Sequence, residues 1–173
     1  FFSTAHFPYA APAPYYQKFT DPAYRGRFKY HRPVGLGGDR PLDEEDVTQI
    51  RALYRGALAS IDDAAGPLVE ELLRSKRRTI VVLLADHGES LYEGGHGQGH
   101  GNHLFGDEAL HIPLVVIDSK KTRGLQISSV VRDVDLAPTL LEWAHLPKSQ
   151  TLGESLGPLL DGTTSSERFA FAE

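Results

Sequence analysis

Apolar residues recur at three- and four-residue spacing from Val47 through Ile50, Tyr54, Ala57, Leu58, Ile61, Ala65 and Leu68 to Leu72. That is one face of a helix. Asp43 is placed to cap its start, with Asp46 three residues on in a capping-box-like arrangement. Gly66-Pro67 is expected to kink or interrupt the helix near its last third. Lys76, Arg77 and Arg78 fall where cations favour a helix C-terminus. Thr79–Ala85 then reads TIVVLLA, a continuous β-branched run that predicts a strand buried on both faces, as in a parallel sheet flanked by helices. Leu114–Ile117 is a second such run and Ile127–Val131 a third, weaker one. Helical spacing returns over Asp135–His145, with Pro138 tolerated in the first turn. Phe1–Phe7 predicts a short strand stopped by Pro8, after which Pro12 and Pro14 hold the chain extended. Residues 20–42, rich in Gly, Pro, Arg and Tyr without periodicity, read as a long surface loop or insertion. The alternation of strands and helices predicts an α/β fold with a mostly parallel or mixed sheet flanked by helices. No internal repeat is visible.

Composition narrows the partners. At 173 residues, with 40% hydrophobic and 24% charged residues, the chain suits one globular domain over 1–173. A net charge of −5 argues against nucleic acid, which is held by clustered Lys and Arg. The basic run Arg74–Arg78 reads as a solvated helix end. With no Cys there is no disulfide framework, and the redox compartment stays open. There is also no Met, and Phe1-Phe2-Ser3-Thr4 reads as the middle of a strand, so a segment of a longer chain is expected. Within the segment there is no signal peptide, acylation motif or bilayer-spanning apolar run. A membrane anchor is therefore left only to the chain before Phe1.

The Thr79–Ala85 strand delivers Asp86-His87-Gly88-Glu89-Ser90 at its carboxyl end, where α/β folds place ligands. A carboxylate beside an imidazole suits a divalent cation, and Gly88 allows a sharp turn. The alternative is that Asp86 caps the next helix and His87 is a surface loop residue. Downstream, Glu93–His103 holds three histidines (His96, His100 and His103) among five glycines. Ordering so glycine-rich a loop costs entropy, which favours a functional role. Its histidines could serve as metal ligands or as donors to an oxyanion. His6 ends a predicted strand and is, by itself, more in keeping with a structural residue.

Taken together these residues resemble the sulfatase branch of the alkaline-phosphatase superfamily. The resemblance runs from His6-Phe-Pro-Tyr with Pro12 and Tyr16, through a helix with Tyr54, Ile61-Asp62 and Gly66, to the strand leading into Asp86-His87-Gly88-Glu89. It continues in His100-Gly101, Ile112-Pro113-Leu114-Val115-Val116, Val134-Asp135-Leu136-Ala137-Pro138-Thr139-Leu140-Leu141, Gly153–Leu156 and Pro158–Gly162. Only the 20–42 loop falls outside it.

The resemblance implies an incomplete alkaline-phosphatase-like sandwich and a metal-dependent hydrolase of sulfate esters. Within the same superfamily it also admits a phosphoryl-ester or phosphonate hydrolase, or a phosphoglycerol or phosphoethanolamine transferase. A non-catalytic sulfatase-like binding module is the alternative of another class. Asp86 and His87 match the second pair of metal ligands, and His6 matches the histidine that contacts the transferred group. His100 matches the downstream residue that holds the same group or protonates the leaving oxygen, and His103 competes for that role. The implied cofactor is a divalent cation: Ca, Mg, Mn or Zn. Where many relatives have Asn, His87 moves the preference toward Mn or Zn. The implied partner is a small-molecule, lipid or glycan sulfate or phosphate ester, and the implied location is extracytoplasmic. The family's Cys- or Ser-x-Pro-x-Arg nucleophile motif and first acidic ligand pair have no counterpart here. The segment by itself is therefore expected to show no turnover and at best weak metal affinity.

Overall fold

The computed structural model describes residues 1–32, 42–95, 97–100, 104, 106–121, 124–148, 150–163 and 169–170. Two compact units, 1–120 and 121–173, divide the chain. Each is considered by itself.

The first unit is organised on one long helix, α1 (Glu44–Arg74, 31 residues). It starts where the capping signal places it, since the Asp43 side chain accepts a hydrogen bond from Asp46 N at 2.9 Å. Asp46, however, turns its own carboxylate toward the Tyr24 hydroxyl. The helix then runs through Gly66-Pro67 without interruption to Arg74, because a helical pattern continues on both sides of the proline and outlasts one missing N–H. Gly56 presses α1 onto a short 3₁₀ turn at Tyr15–Gln17: a Cβ there would collide with Tyr15 O.

The core is largely aromatic. Tyr9, Tyr24, Phe28, Ile50, Leu53 and Leu91 are buried together, with Phe7, Tyr16, Leu42, Tyr54 and Tyr92 packed around them. Two features differ from the sequence reading. Residues 1–7 form no strand: turns and a bend occupy 4–8. Residues 20–32 are not merely surface loop, because they carry Tyr24 and Phe28 into the core. Gln49 on α1 meets their backbone, donating from Nε2 to Phe28 O at 3.1 Å. Aromatic burial needs no periodic pattern when isolated side chains are pinned this way, so residue-by-residue periodicity did not reveal it. Residues 33–41 lie outside the described set.

Strand β1 (Ile80–Leu84) pairs with β4 (Leu114–Asp118), in register from Ile80↔Asp118 to Leu84↔Leu114. The pairing is antiparallel, because the chain leaves the sheet at Leu84 and re-enters it directly opposite, at Leu114. Between them, β2 (Ser90–Leu91) and β3 (Gln98–Gly99) form a miniature antiparallel pair. Burial on both faces is not observed for β1: Leu83 and Leu84 are exposed. Among the described residues β1 has β4 as its one partner strand.

In the second unit the expected strand at 127–131 is absent, and the segment is loop with a bend at Ser129. The expected helix is α2 (Leu136–Trp143), entered through a 3₁₀ turn at Asp133–Asp135, followed by the one-turn α3 (Gly157–Leu160). Its anchor is Asp135, fully buried, which accepts from Arg132 at 2.8 Å and from Glu154 N at 2.9 Å. Burial alone would raise the Asp135 carboxyl, but the Arg132 guanidinium and the two N–H donors together hold it below the usual carboxylate range. Thr139 continues the network by accepting from Leu156 N at 2.8 Å. No helix among the described residues is long and apolar enough to cross a membrane.

The Asp43 cap sets where the main helix begins. Replacing Asp43 with Ala is expected to lower stability by about 1 kcal/mol. A urea midpoint shifted downward with an unchanged slope would register it.

Candidate functional site

All described candidate residues lie in the first unit, beyond the end of β1, directly after β3 and on the turn after Ser3. Asp86 and His87 come directly after β1 and are exposed. The Asp86 Oδ1 atom accepts from His87 N at 3.2 Å and stands 3.8 Å from His87 Nε2. The chain then turns at Gly88, whose N–H donates to Ala109 O at 2.9 Å. A Cβ at Gly88 would collide with Glu108 O. Only glycine lets the two backbones come this close.

The β2–β3 register sets the next two side chains against each other. Ser90 pairs with Gly99, so Glu89 and His100, one step outward on each strand, face one another. His100 Nδ1 is 2.9 Å from Glu89 Oε2. The Glu89 side chain is 5% exposed and that of His100 30%. The His100 ring stacks on His87, with centroids 4.1 Å apart and planes 23° from parallel. His6 also meets His100, edge-on at 5.1 Å. Residues far apart in sequence are therefore brought into one cluster of three imidazoles and a carboxylate. His103, like His96, lies outside the described residues.

Each of these imidazoles spends the same nitrogen on the protein. His6 Nδ1 is 2.7 Å from Phe7 O and His87 Nδ1 is 2.8 Å from Gly88 O. Carbonyl oxygens only accept, so Nδ1 carries a proton in both rings, and in the neutral form of each ring Nε2 keeps its lone pair. For His87 this is the state a metal ion requires, with the second nitrogen fixed by a backbone carbonyl. Together with a carboxylate oxygen 3.8 Å away, the donor chemistry fits two neighbouring positions on one divalent cation. Among the described residues no group of three or more His, Cys, Asp or Glu side chains is arranged to hold an ion.

Three residues escaped the sequence reading. Glu89 belongs to the quoted motif but received no role, and Tyr9 and Gln98 received none. Tyr9 is fully buried with a positive φ of 59°, packed edge-on against Tyr54 at 5.5 Å. Its hydroxyl donates to Glu89 Oε1 at 2.8 Å and accepts from Gln98 Nε2 at 2.9 Å. Burial first, and then the Glu89 carboxylate, push the Tyr9 hydroxyl well above its ordinary value. The register of β2 and β3 was the missing signal, since these strands are two residues each and carry no periodicity.

A model of the family described as Sulfatase matches residues 1–146. The chain belongs to the sulfatase family. It is 36% identical over 128 residues to arylsulfatase K of Xenopus laevis, an alignment covering 72% of this chain and 23% of that protein. It is 33% identical over 162 residues to the multifunctional alkaline phosphatase superfamily protein PehA of Trinickia caryophylli, covering 87% of this chain and 29% of PehA. Among solved structures it resembles the phosphonate monoester hydrolase SpPMH of Silicibacter pomeroyi, with a TM-score of 0.67 and 27% identity over 80% of this chain and 27% of that one. The sulfatase-family chain is thus a partial α/β domain of alkaline-phosphatase-like fold. It spans about a quarter of the length of the curated relatives it matches.

Two outcomes test the framework of the site. Gly88→Ala must displace the Glu108 carbonyl, and is expected to cost about 1–3 kcal/mol in a denaturant titration. The raised Tyr9 hydroxyl means that folding holds its proton more tightly than the unfolded chain does. Its contribution is therefore complete below about pH 10 and is lost as pH rises beyond it. Urea midpoints should fall more gently above about pH 10 in Tyr9→Phe than in the parent.

Proposed function

We propose that the protein carrying this chain hydrolyses sulfate esters, with Asp86 and His87 as two ligands of a divalent cation. His6 and His100 are placed beside them to touch the transferred group or the leaving oxygen. The observation that supports this most directly is the convergence of His6, His87 and His100 at ring spacings of 4.1 and 5.1 Å, next to Asp86.

The residues divide the chemistry by what each holds. Asp86 and His87 offer an anionic oxygen and a neutral nitrogen from one rigid strand end, so binding requires little reordering. When bound, a divalent cation there supplies Lewis-acid polarisation of the ester and lowers the pKa of the attacking group. The His87 nitrogen favours Mn or Zn among the candidates. With Nδ1 donating to the Phe7 carbonyl, the Nε2 atom of His6 is the one that can receive a proton and present an N–H to a developing oxyanion. His100, the innermost of the rings, can do the same for the leaving oxygen. The nucleophile and the remaining ligands would come from other parts of the protein, and the location proposed for it is extracytoplasmic. The single sulfatase-like domain over 1–173 is likewise part of this proposal.

A second reading, hydrolysis of phosphonate or phosphate esters, draws support from the 27% identity to a phosphonate monoester hydrolase and from PehA, which matches more of the chain than arylsulfatase K does. The ratio of kcat/KM on an aryl sulfate to that on a phosphonate monoester separates the two.

In the intact protein, His87→Ala is expected to remove several kcal/mol of transition-state stabilisation, a loss of about 10³-fold or more in kcat/KM. A chelator should produce the same loss in the parent and none in the variant. Undiminished ester hydrolysis by His87→Ala would refute the assignment.

A further inference from the structure

The cluster contains one expensive feature that the ester reading leaves unused. Glu89 is almost entirely buried, and removing a carboxylate from water costs several kcal/mol unless donors meet it. A purely structural position would be filled as well by an apolar side chain of similar volume. Here both oxygens are matched, and they face different ways. Oε1 accepts from Tyr9, on the core side. Oε2 meets His100, on the side of the imidazole cluster.

The hydrogen-bond directions come from the partners. Tyr9 has one hydroxyl proton, and it accepts from the Gln98 amide, so that proton goes to Glu89. Gln98 is turned the right way round because its Oε1 accepts from the Tyr92 hydroxyl at 3.5 Å. An ionised Glu89 can only accept, so the His100 nitrogen facing it is Nδ1–H. Tyr9 is itself fixed by the core and by its left-handed backbone, a conformation that persists only where surroundings impose it. The orientation of His100 thus traces back through two side chains to the packed interior.

We infer that Glu89, clamped by Tyr9 and Gln98, is a positioning residue that fixes His100 as its Nδ1–H tautomer and keeps Nε2 directed at the reacting ester. The inference rests on the proposed role of His100. Both Glu89 oxygens are engaged by protein groups, Tyr9 and His100. Glu89 supplies to His100 what the Phe7 and Gly88 carbonyls supply to His6 and His87, with the difference that a carboxylate also stabilises the charged ring.

The test reads the tautomer of His100 in the intact, ¹⁵N-histidine-labelled protein, at the alkaline end of a pH series where its ¹⁵N shifts no longer change and the ring is therefore neutral. His100→Gln identifies its signals. The parent should carry the proton on Nδ1. Glu89→Gln, which offers an N–H in place of an oxygen, should move it to Nε2. Glu89→Asp and Tyr9→Phe retain a carboxylate and should leave it on Nδ1. In turnover, Glu89→Gln should lower kcat roughly 10- to 100-fold, as removal of partners that orient ligand imidazoles does, with KM little changed and partial recovery in Glu89→Asp. A proton on Nε2 in the parent, a measurement that needs no variant and no turnover, would overturn the positioning role and leave the ester reading standing. A tautomer unmoved by Glu89→Gln would overturn it equally. Full kcat in His100→Gln would instead overturn the ester role of His100, and this inference with it.

Discussion

A carboxylate taken out of water organises the first unit. Glu89 has to be met by donors, and its two oxygens are met from different directions: by Tyr9 from the aromatic core and by His100 from the loop. That single requirement joins residues 9, 89, 98 and 100 and sets the depth at which each lies. An unpaired carboxylate in the same place would cost more than most other interactions in the unit contribute. The core therefore does not simply sit beneath the imidazole cluster. It terminates in it.

The elements around Glu89 transmit this constraint outward. Arg51 of α1 donates to Leu91 O at 2.9 Å, which ties the β2–β3 pair to the long helix. Tyr54, one turn further on, packs against Tyr9. The turn at Gly88 is pressed against Glu108 and Ala109, just before the chain returns to the sheet. A helix, a two-residue strand pair and a backbone crossing thus converge on the same few side chains. Each would be weak alone: strands of two residues have no independent stability. Their rigidity comes from being shared.

Much of this was legible from the residues, and the boundary of legibility is physical. Strong periodicity and a local cap made α1 readable from Asp43 onward, and two unbroken apolar runs made β1 and β4 readable. Asp86, His87, His6 and His100 could be picked out because strand ends and glycine-rich loops expose unusual side chains. The mistakes arose where tertiary contacts overrule local preference. Residues 1–7 have strand composition but form turns and a bend at 4–8. Residues 127–131 hold Ile127, Val130 and Val131 but form no strand. Tyr24 and Phe28 are buried by single anchors rather than by a pattern. The antiparallel sense of β1 and β4 is likewise invisible in either run by itself, since it depends on where the segment between them comes back.

The same logic explains why the motif Asp86-His87-Gly88-Glu89 carries more than its adjacent pair of donors. Four consecutive residues have four different surroundings. Asp86 faces solvent, His87 stacks on His100, Gly88 touches backbone and Glu89 enters the core. The bend at Asp86-His87 and the close backbone approach at Gly88 permit that divergence, with Glu89 pointing inward while His87 stays out. A side chain larger than hydrogen at position 88 would push the turn away from Glu108, and the outward and inward members would move together. The spacing of exposed donors and buried carboxylate is thus a single geometric unit. Asp86 and His87 were readable in the sequence, but the role of Glu89 and its coupling to them exist only because a second backbone passes within contact of Gly88.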